Sequence, residues 1–326
     1  MVRRMRILTG LQPSGKLHVG NYFGAMEPAV RLQDQGEAFY FIADYHAMTS
    51  SQDPVALREN VRELAIDFLA CGLDPEKAVF FRQSAVPEVN ELAWILSTVC
   101  PMSLLEKCHS YKDKVAKGIS PNHALFAYPA LMAADILLYD SNLVPVGKDQ
   151  KQHLEVTRDL AVKLNEAYGE GTATLPEPII REDTAVVPGT DGQKMSKSYH
   201  NTLPIFGEEK ALKKLIMKEI ITDSTALEDA KPIENSTILG LYKLFASPEA
   251  HQTMLDQHIS GGYGYGHFKK DLAEAYWNYF APMRARRDEI TADLSFVDTV
   301  LKRGAERARE EAAKVICRIR QAVGLT

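Results

Sequence analysis

Two lysines three residues apart, Lys194 and Lys197, lie in "GTDGQKMSKSYHN" together with Met195, Ser196 and Ser198. A lysine ammonium is a compact charge on a flexible stem, able to follow phosphate oxygens as negative charge shifts among them. The serine hydroxyls add hydrogen bonds, Met195 reads as an apolar anchor, and Gly189 and Gly192 read as points where the loop can close and reopen. A second candidate lies near the start, in "LQPSGKLHVGNYFGAM". A turn there runs into a helix start, whose unpaired N–H groups and partial positive charge suit a phosphate. His18 can donate to phosphate oxygens, and Gly20, lacking a side chain, lets a flat base lie on the backbone. Taken singly, the first stretch equally fits a solvated loop and the second an ordinary turn. Asp135 is the third candidate, because it interrupts the apolar run "ALMAADILLY". A carboxylate there is costly without a partner. An ion pair or a capping role is the plain alternative, but Tyr128, Met132 and Asp135 recur at roughly helical spacing and can share one face.

Such residues need a scaffold to bring them together. Short apolar runs at 6–10, 38–44 and 78–81 alternate with helical patterns at about 19–33, from Asp53-Pro54 to Gly72, and at about 88–99. The second of these helices carries its own start signal, an Asp cap followed by Pro at the first turn. This βαβαβα rhythm predicts an α/β fold with a Rossmann-like, doubly wound parallel sheet. Residues 101–128 break the rhythm and read as a mostly helical insertion carrying Lys107, Lys112, Lys114 and Lys117. A helix at about 129–139, a strand at 143–147, a helix at about 150–168 and a last strand at 185–189 follow. Beyond about Thr202 only helices are expected, so the predicted division is a nucleotide-binding domain at 1–202 and an all-helical domain at 203–326.

Ligands of open parallel sheets bind outside the carboxyl ends of the strands. Five polar clusters fall there: Gln12-Pro13-Ser14, Asp44-Tyr45-His46, Gln83-Ser84, Gly147-Lys148-Asp149-Gln150, and the lysine loop after Gly189. That convergence favours a site over five unrelated surface loops.

The bulk numbers narrow the field. In 326 residues, 45% are hydrophobic and 25% charged, the composition of a globular protein large enough for two domains. The net charge of −5 gives no general basic field, so a nucleic-acid partner must be met by local patches. The four cysteines form no CxxC pair, Cys71 and Cys100 read as small core residues, and neither HExxH nor a zinc or iron–sulfur spacing occurs. No signal peptide or membrane-length apolar stretch is seen, which predicts a reduced, soluble, cytoplasmic protein with no membrane partner.

"HVGN" near the start, paired with "KMSKS" at 194–198, resembles the two signature motifs of class I aminoacyl-tRNA synthetases. "GLQPSGKLHVGNYFGA", "ADYHAMT", "YPALMAADILLY" and "VPVGKDQKQHLEVTRDLA" are similar to the tryptophanyl branch of that family, and the likeness extends more loosely through "ITDS" and the C-terminal helices. The resemblance implies a ligase that joins L-tryptophan to ATP as an adenylate, releases pyrophosphate, and passes the tryptophanyl group to tRNA(Trp). It further implies a homodimer and an anticodon-binding role for 203–326. Lys194, Lys197 and His18 then act on the phosphates. Gln12, Pro13, Ser14, Gly20, Asn21, Met195, Ser196 and Ser198 hold ATP, with Gly147, Lys148 and Asp149 near the ribose and the Val187 backbone at the adenine edge. Lys112 and Lys114 form a second cationic lid or a solvated helix face, and Mg²⁺ arrives with ATP. For tryptophan, Asp135 accepts the indole N–H, Tyr128, Met132, Val144 and Val146 line the pocket, and His46 and Gln150 meet the polar end.

Some positions depart from the pattern. Lys148 stands where an acidic residue is frequent, "DYH" replaces "DQH", and the loop "PGTDGQ" is short. Asp149 can cap the following helix with Gln152. Lys302, Arg303, Arg307, Arg309, Lys314, Arg318 and Arg320 suit tRNA, but interleaved Glu306, Glu310 and Glu311 suit a salt-bridged helix better. A tyrosine-specific relative, a tryptophan-sensing paralogue and a general nucleotidyltransferase remain the rival readings.

Overall fold

The computed structural model describes residues 5–50, 52–108, 122–146, 151–180 and 187–325. They fall into two compact units, one of Met1–Gly15, Ala29–Asp183 and Asp293–Thr326, the other of Lys16–Pro28 and Thr184–Ala292.

The first unit is built on five parallel strands: β1 (Arg6–Leu11), β2 (Glu37–Ile42), β3 (Ala78–Arg82), β4 (Leu143–Val146) and β5 (Glu177–Ile180), in the order β3-β2-β1-β4-β5. Strand order reverses at β1, so the carboxyl ends of β1 and β4 flank the switch point where such sheets bind ligands. The strands read as near-continuous apolar runs because both faces are covered. Phe39, Phe41, Val79 and Phe81 are buried in one core with residues of the helices Glu88–Val99, His123–Leu137 and Lys151–Tyr168. Asp53 caps the helix Pro54–Ala70, accepting from the N–H groups of Val55 (2.9 Å) and Ala56 (3.1 Å), and Gly72 ends it in a positive-φ turn.

One expectation falls partly outside the described residues and one is corrected. The last strand among the described residues is Glu177–Ile180; of the strand expected at 185–189, residues 185 and 186 lie outside the described set, and Val187 to Gly189 holds an isolated bridge from Pro188 to Lys194. The helix expected from about 129 begins at His123, with Asn122 as its cap and Pro129 inside it. Residues 123–128 therefore belong to a core helix rather than an insertion. Met102–Glu106 is helical, and 109–121, with Lys112, Lys114 and Lys117, lies outside the described residues.

The 30-residue C-terminal helix, Leu294–Val323, belongs to the first unit and packs on β3 and on Glu88–Val99. Gly304, Ala308 and Ala312 form its buried small-residue stripe. A Cβ on Gly304 would stand 1.8 Å from the Phe80 carbonyl oxygen, so only glycine allows this approach. Five of the seven cations singled out on this helix are bonded to carboxylates: Arg303 to Glu76, Arg309 to Glu88, Lys314 to Glu311, Arg318 to Asp140 and Arg320 to Glu91. The helix is salt-bridged, but it is packed in the core rather than solvated, and four of these five partners are acids outside it, Glu311 being the interleaved acid that takes part.

The second unit gathers the helix start at Val19 with the helices Glu209–Glu219, Thr237–Phe245, Pro248–Ser260, Tyr265–Tyr279 and Ala281–Ala292. Tyr22, Phe23, Phe245, Tyr276 and Phe280 meet there in edge-on and tilted pairs. No helix among the described residues is long and apolar enough to cross a membrane.

Candidate active site

In the first unit, polar residues collect at the strand ends. Asp135 is 3% exposed, on the helix His123–Leu137. Gln83, directly after β3, donates from Nε2 to both Asp135 oxygens at 2.9 Å. His46, in the short helix Asp44–Ala47 after β2, meets Asp135 Oδ2 through Nε2 at 2.9 Å. With Gln83 donating to both oxygens, the carboxylate is an acceptor throughout, and His46 supplies the third hydrogen. Burial pushes the Asp135 carboxyl above its ordinary range, and the His46 and Gln83 hydrogen bonds pull it back down.

The turns bearing these groups are tied together. Gln83 Oε1 accepts from the N–H of Tyr45 (3.1 Å) and of His46 (3.4 Å). Asp44 accepts from the N–H of Ser84 at 2.9 Å and from its hydroxyl. Exposed Gln12, at the end of β1, donates to the His46 carbonyl at 3.1 Å. Tyr128 stands edge-on to His46, with ring centroids 6.1 Å apart, and its hydroxyl bonds His153 Nε2. Met132 is half-buried against the core that includes Val144. Tyr128 and Asp135 thus both reach His46, as one shared helix face requires. Gly147, Lys148, Asp149 and Gln150 lie outside the described residues, as does the Val146 side chain. Gln152 donates to the Lys107 carbonyl at 3.2 Å.

In the second unit, the two lysine- and histidine-bearing motifs are in contact. His18 caps the helix start, its Nδ1 accepting from the Asn21 N–H at 3.3 Å while Asn21 Oδ1 faces the His18 N–H at 3.4 Å. Asn21 thus completes a reciprocal cap. The helix then widens into a π-turn at Tyr22–Met26. Burial, reinforced by the charge of Lys197, holds the His18 pKa at about 4. The ring is neutral near pH 7, and with Nδ1 accepting, its proton sits on Nε2. The Gly20 N–H meets the Met195 sulfur at 3.2 Å, and a Cβ on Gly20 would come within 3.2 Å of Met195 Cβ. Met195, 5% exposed, is the anchor its type suggested, and its own N–H donates to the Val187 carbonyl at 2.8 Å.

Asn201 escaped the sequence reading as a site residue. It is buried, and it accepts from the Ser196 N–H (2.7 Å) and donates to Asp191 (2.7 Å) and to the Lys194 carbonyl (3.1 Å). The lysine loop is therefore wrapped around one amide. A Cβ on Gly189 would lie 2.2 Å from Asn201 Nδ2, so glycine serves close approach there; Gly192, at φ +75°, supplies the turn. Ser196 and Ser198 share a 2.9 Å hydrogen bond, and Lys194 is exposed. Pro13 is buried, and Ser14 closes a turn back to the Gln12 carbonyl at 2.9 Å. The sequence marks Gln83 only as part of the polar cluster after the third strand, without a role, and no local pattern marks Asn201; each is a polar side chain made important by the groups it reaches.

A parallel sheet with a switch point at β1, a capped histidine motif and a braced lysine loop together define a nucleotide-handling α/β protein. A family model described as tRNA synthetases class I (W and Y) matches residues 2–281, and the chain belongs to that family. The tryptophan–tRNA ligase of Rhodopirellula baltica is 54% identical over 321 residues, covering 98% of this chain and 100% of that protein. The crystal structure of tryptophanyl-tRNA synthetase from Campylobacter jejuni, complexed with ADP and tryptophan, superposes with a TM-score of 0.92 at 53% identity, covering 98% of this chain and 100% of that one. The enzyme from Mycoplasma pneumoniae gives 0.82 at 31% identity, covering 99% and 98%.

Proposed function

We propose that this chain is an ATP-dependent tryptophan–tRNA ligase. The carboxylate of L-tryptophan attacks the α-phosphorus of ATP, the bond to the bridging oxygen breaks, and pyrophosphate leaves with the electron pair. A hydroxyl of the terminal ribose of tRNA(Trp) then attacks the activated carbonyl, and AMP leaves.

The observation that carries this reading is Asp135, a buried acid whose partners are all donors. Such a group can accept an indole N–H, and phenylalanine offers none. Sites built around one hydrogen bond reject an analogue lacking it by as much as ~10⁴–10⁵. Tyr128, Met132, Val144 and Val146 form the walls, and His46 and Gln150 serve the amino acid's polar end. Gln12, Pro13, Ser14, Gly20, Asn21, Val187, Met195, Ser196 and Ser198 hold ATP, with Gly147, Lys148 and Asp149 at the ribose and Lys114 over the triphosphate. Lys194, Lys197 and the Nε2–H of His18 stabilise charge on the departing pyrophosphate. Mg²⁺ comes with ATP; among the described residues no group of three or more His, Cys, Asp or Glu side chains is placed to hold a metal.

The anticodon is read by residues 203–326, through side chains other than the five ion-paired cations. The enzyme works in the cytoplasm as a homodimer, and exposed Trp94 and Met102 give the first unit apolar surface for a second copy. Tryptophan-dependent exchange of pyrophosphate into ATP tests the reading. Exchange with tryptophan and none above background with tyrosine is expected; exchange driven by tyrosine would overturn it.

A further inference from the structure

We propose that Gln83 is a positioning residue for amino-acid selection: it fixes the Asp135 carboxylate so that Oδ1 is presented to the ring N–H of the substrate. The inference rests on the reading of Asp135 given above and adds a residue and an atom to it.

Gln83 is 2% exposed, and its amide is almost fully spent. Both Nε2 contacts run to the two oxygens of Asp135, and Oε1 takes the backbone N–H groups of Tyr45 and His46. Flipping the amide would set its oxygen against a carboxylate and its NH₂ against two N–H donors. The network therefore allows only one orientation. Two contacts from one planar amide to one planar carboxylate also fix the rotation of that carboxylate, and with it the direction of the remaining lone pairs.

The two oxygens are not equivalent. Oδ2 receives both His46 and Gln83, whereas Oδ1 receives only Gln83 among the described residues. A carboxylate offers about four lone-pair sites, so Oδ1 keeps the larger unused acceptor capacity. The clamp joins the ends of β2 and β3 to the helix His123–Leu137, and neither Lys nor Arg takes part. A purely structural solution at this depth would be apolar packing, which commonly equals or exceeds buried polar networks in stability. Retaining an oriented acid here makes sense if its free lone pair has a task.

The test is pyrophosphate exchange with tryptophan and with 3-benzothienyl-alanine, in which sulfur replaces the ring N–H. Gln83→Met and Gln83→Leu each remove both donors without setting a second carboxylate against Asp135. In both variants the ratio of kcat/KM for tryptophan over the analogue should fall about 10–100-fold. A ratio within about threefold of wild type, even where both rates fall, marks a merely structural role and overturns the proposal. Asp135→Ala is run in parallel. If it collapses the ratio while both Gln83 variants keep it, only the Gln83 assignment fails. If it also keeps the ratio, the Asp135 reading fails and takes this proposal with it.

Discussion

Replacing Asn201 with alanine should slow adenylate formation and leave tryptophan binding alone. The side chain makes three hydrogen bonds, to the Ser196 N–H, Asp191 and the Lys194 carbonyl. A typical bond contributes about 1 kcal/mol net, which bounds the loss near 3 kcal/mol. The loop is partly exposed, so water can replace part of that, leaving about 1–2 kcal/mol. Converted at 1.36 kcal/mol per tenfold, the expected fall in kcat is roughly 5–30-fold. The assay is pyrophosphate exchange at saturating tryptophan and ATP, with the KM for tryptophan measured separately. Gly189→Ala, whose Cβ would displace the same amide, should give a similar defect. Because both changes strike one contact, the double variant should be scarcely worse than either single one. A rise in tryptophan KM that matches the fall in kcat, or full additivity of the two changes, would refute the idea that Asn201 serves the lysine loop.

Other perturbations give equally definite outcomes. Lys194→Ala and Lys197→Ala should each lower kcat for adenylate formation about 10²–10³-fold, with tryptophan affinity within about threefold by equilibrium dialysis, as for removal of a donor to developing charge. His18, held at about 4 against an ordinary 6.5, stays uncharged in the fold while the unfolded chain binds a proton. Its contribution is therefore present above pH 6.5 and lost as pH falls towards 4, by up to roughly 3 kcal/mol. In urea unfolding, wild type should lose stability relative to His18→Asn as pH falls from 6.5 towards 4; a difference that stays constant across that range would contradict it. Gly304→Ala, which forces a Cβ onto the Phe80 carbonyl, should lower the thermal midpoint by several degrees or prevent folding, at a cost of about 3 kcal/mol or more.

Much of this architecture is legible in the chain because its elements carry local signals. Asp53-Pro54 announces a helix, apolar runs announce four of the strands, and Gly72 announces a stop. β5 is hidden because it is four residues long, "EPII", with Pro178 inside; proline is tolerated in an edge strand but reads as a breaker. Pro129 misleads in the same way, since proline at a first turn is common and proline inside a helix is rare. The C-terminal helix is harder still. Its arginines already read better as a salt-bridged face than as nucleic-acid ligands, but the distant partners Glu76, Glu88, Glu91 and Asp140 are visible only in the fold. The Gly304, Ala308, Ala312 spacing was the available hint that it lies against other backbone. Asp135 stood out because a lone acid in an apolar helix violates its surroundings, whereas Gln83 and Asn201 violate nothing local.

The most direct measurement is aminoacylation of tRNA(Trp) by the purified protein, with tryptophan, phenylalanine and tyrosine each offered alone and then in competition. Rapid charging with tryptophan, unaffected by a large excess of the other two and abolished by Asp135→Ala, is the predicted result. Charging with tyrosine or phenylalanine at a comparable rate, or tryptophan charging that survives loss of that carboxylate, would contradict it.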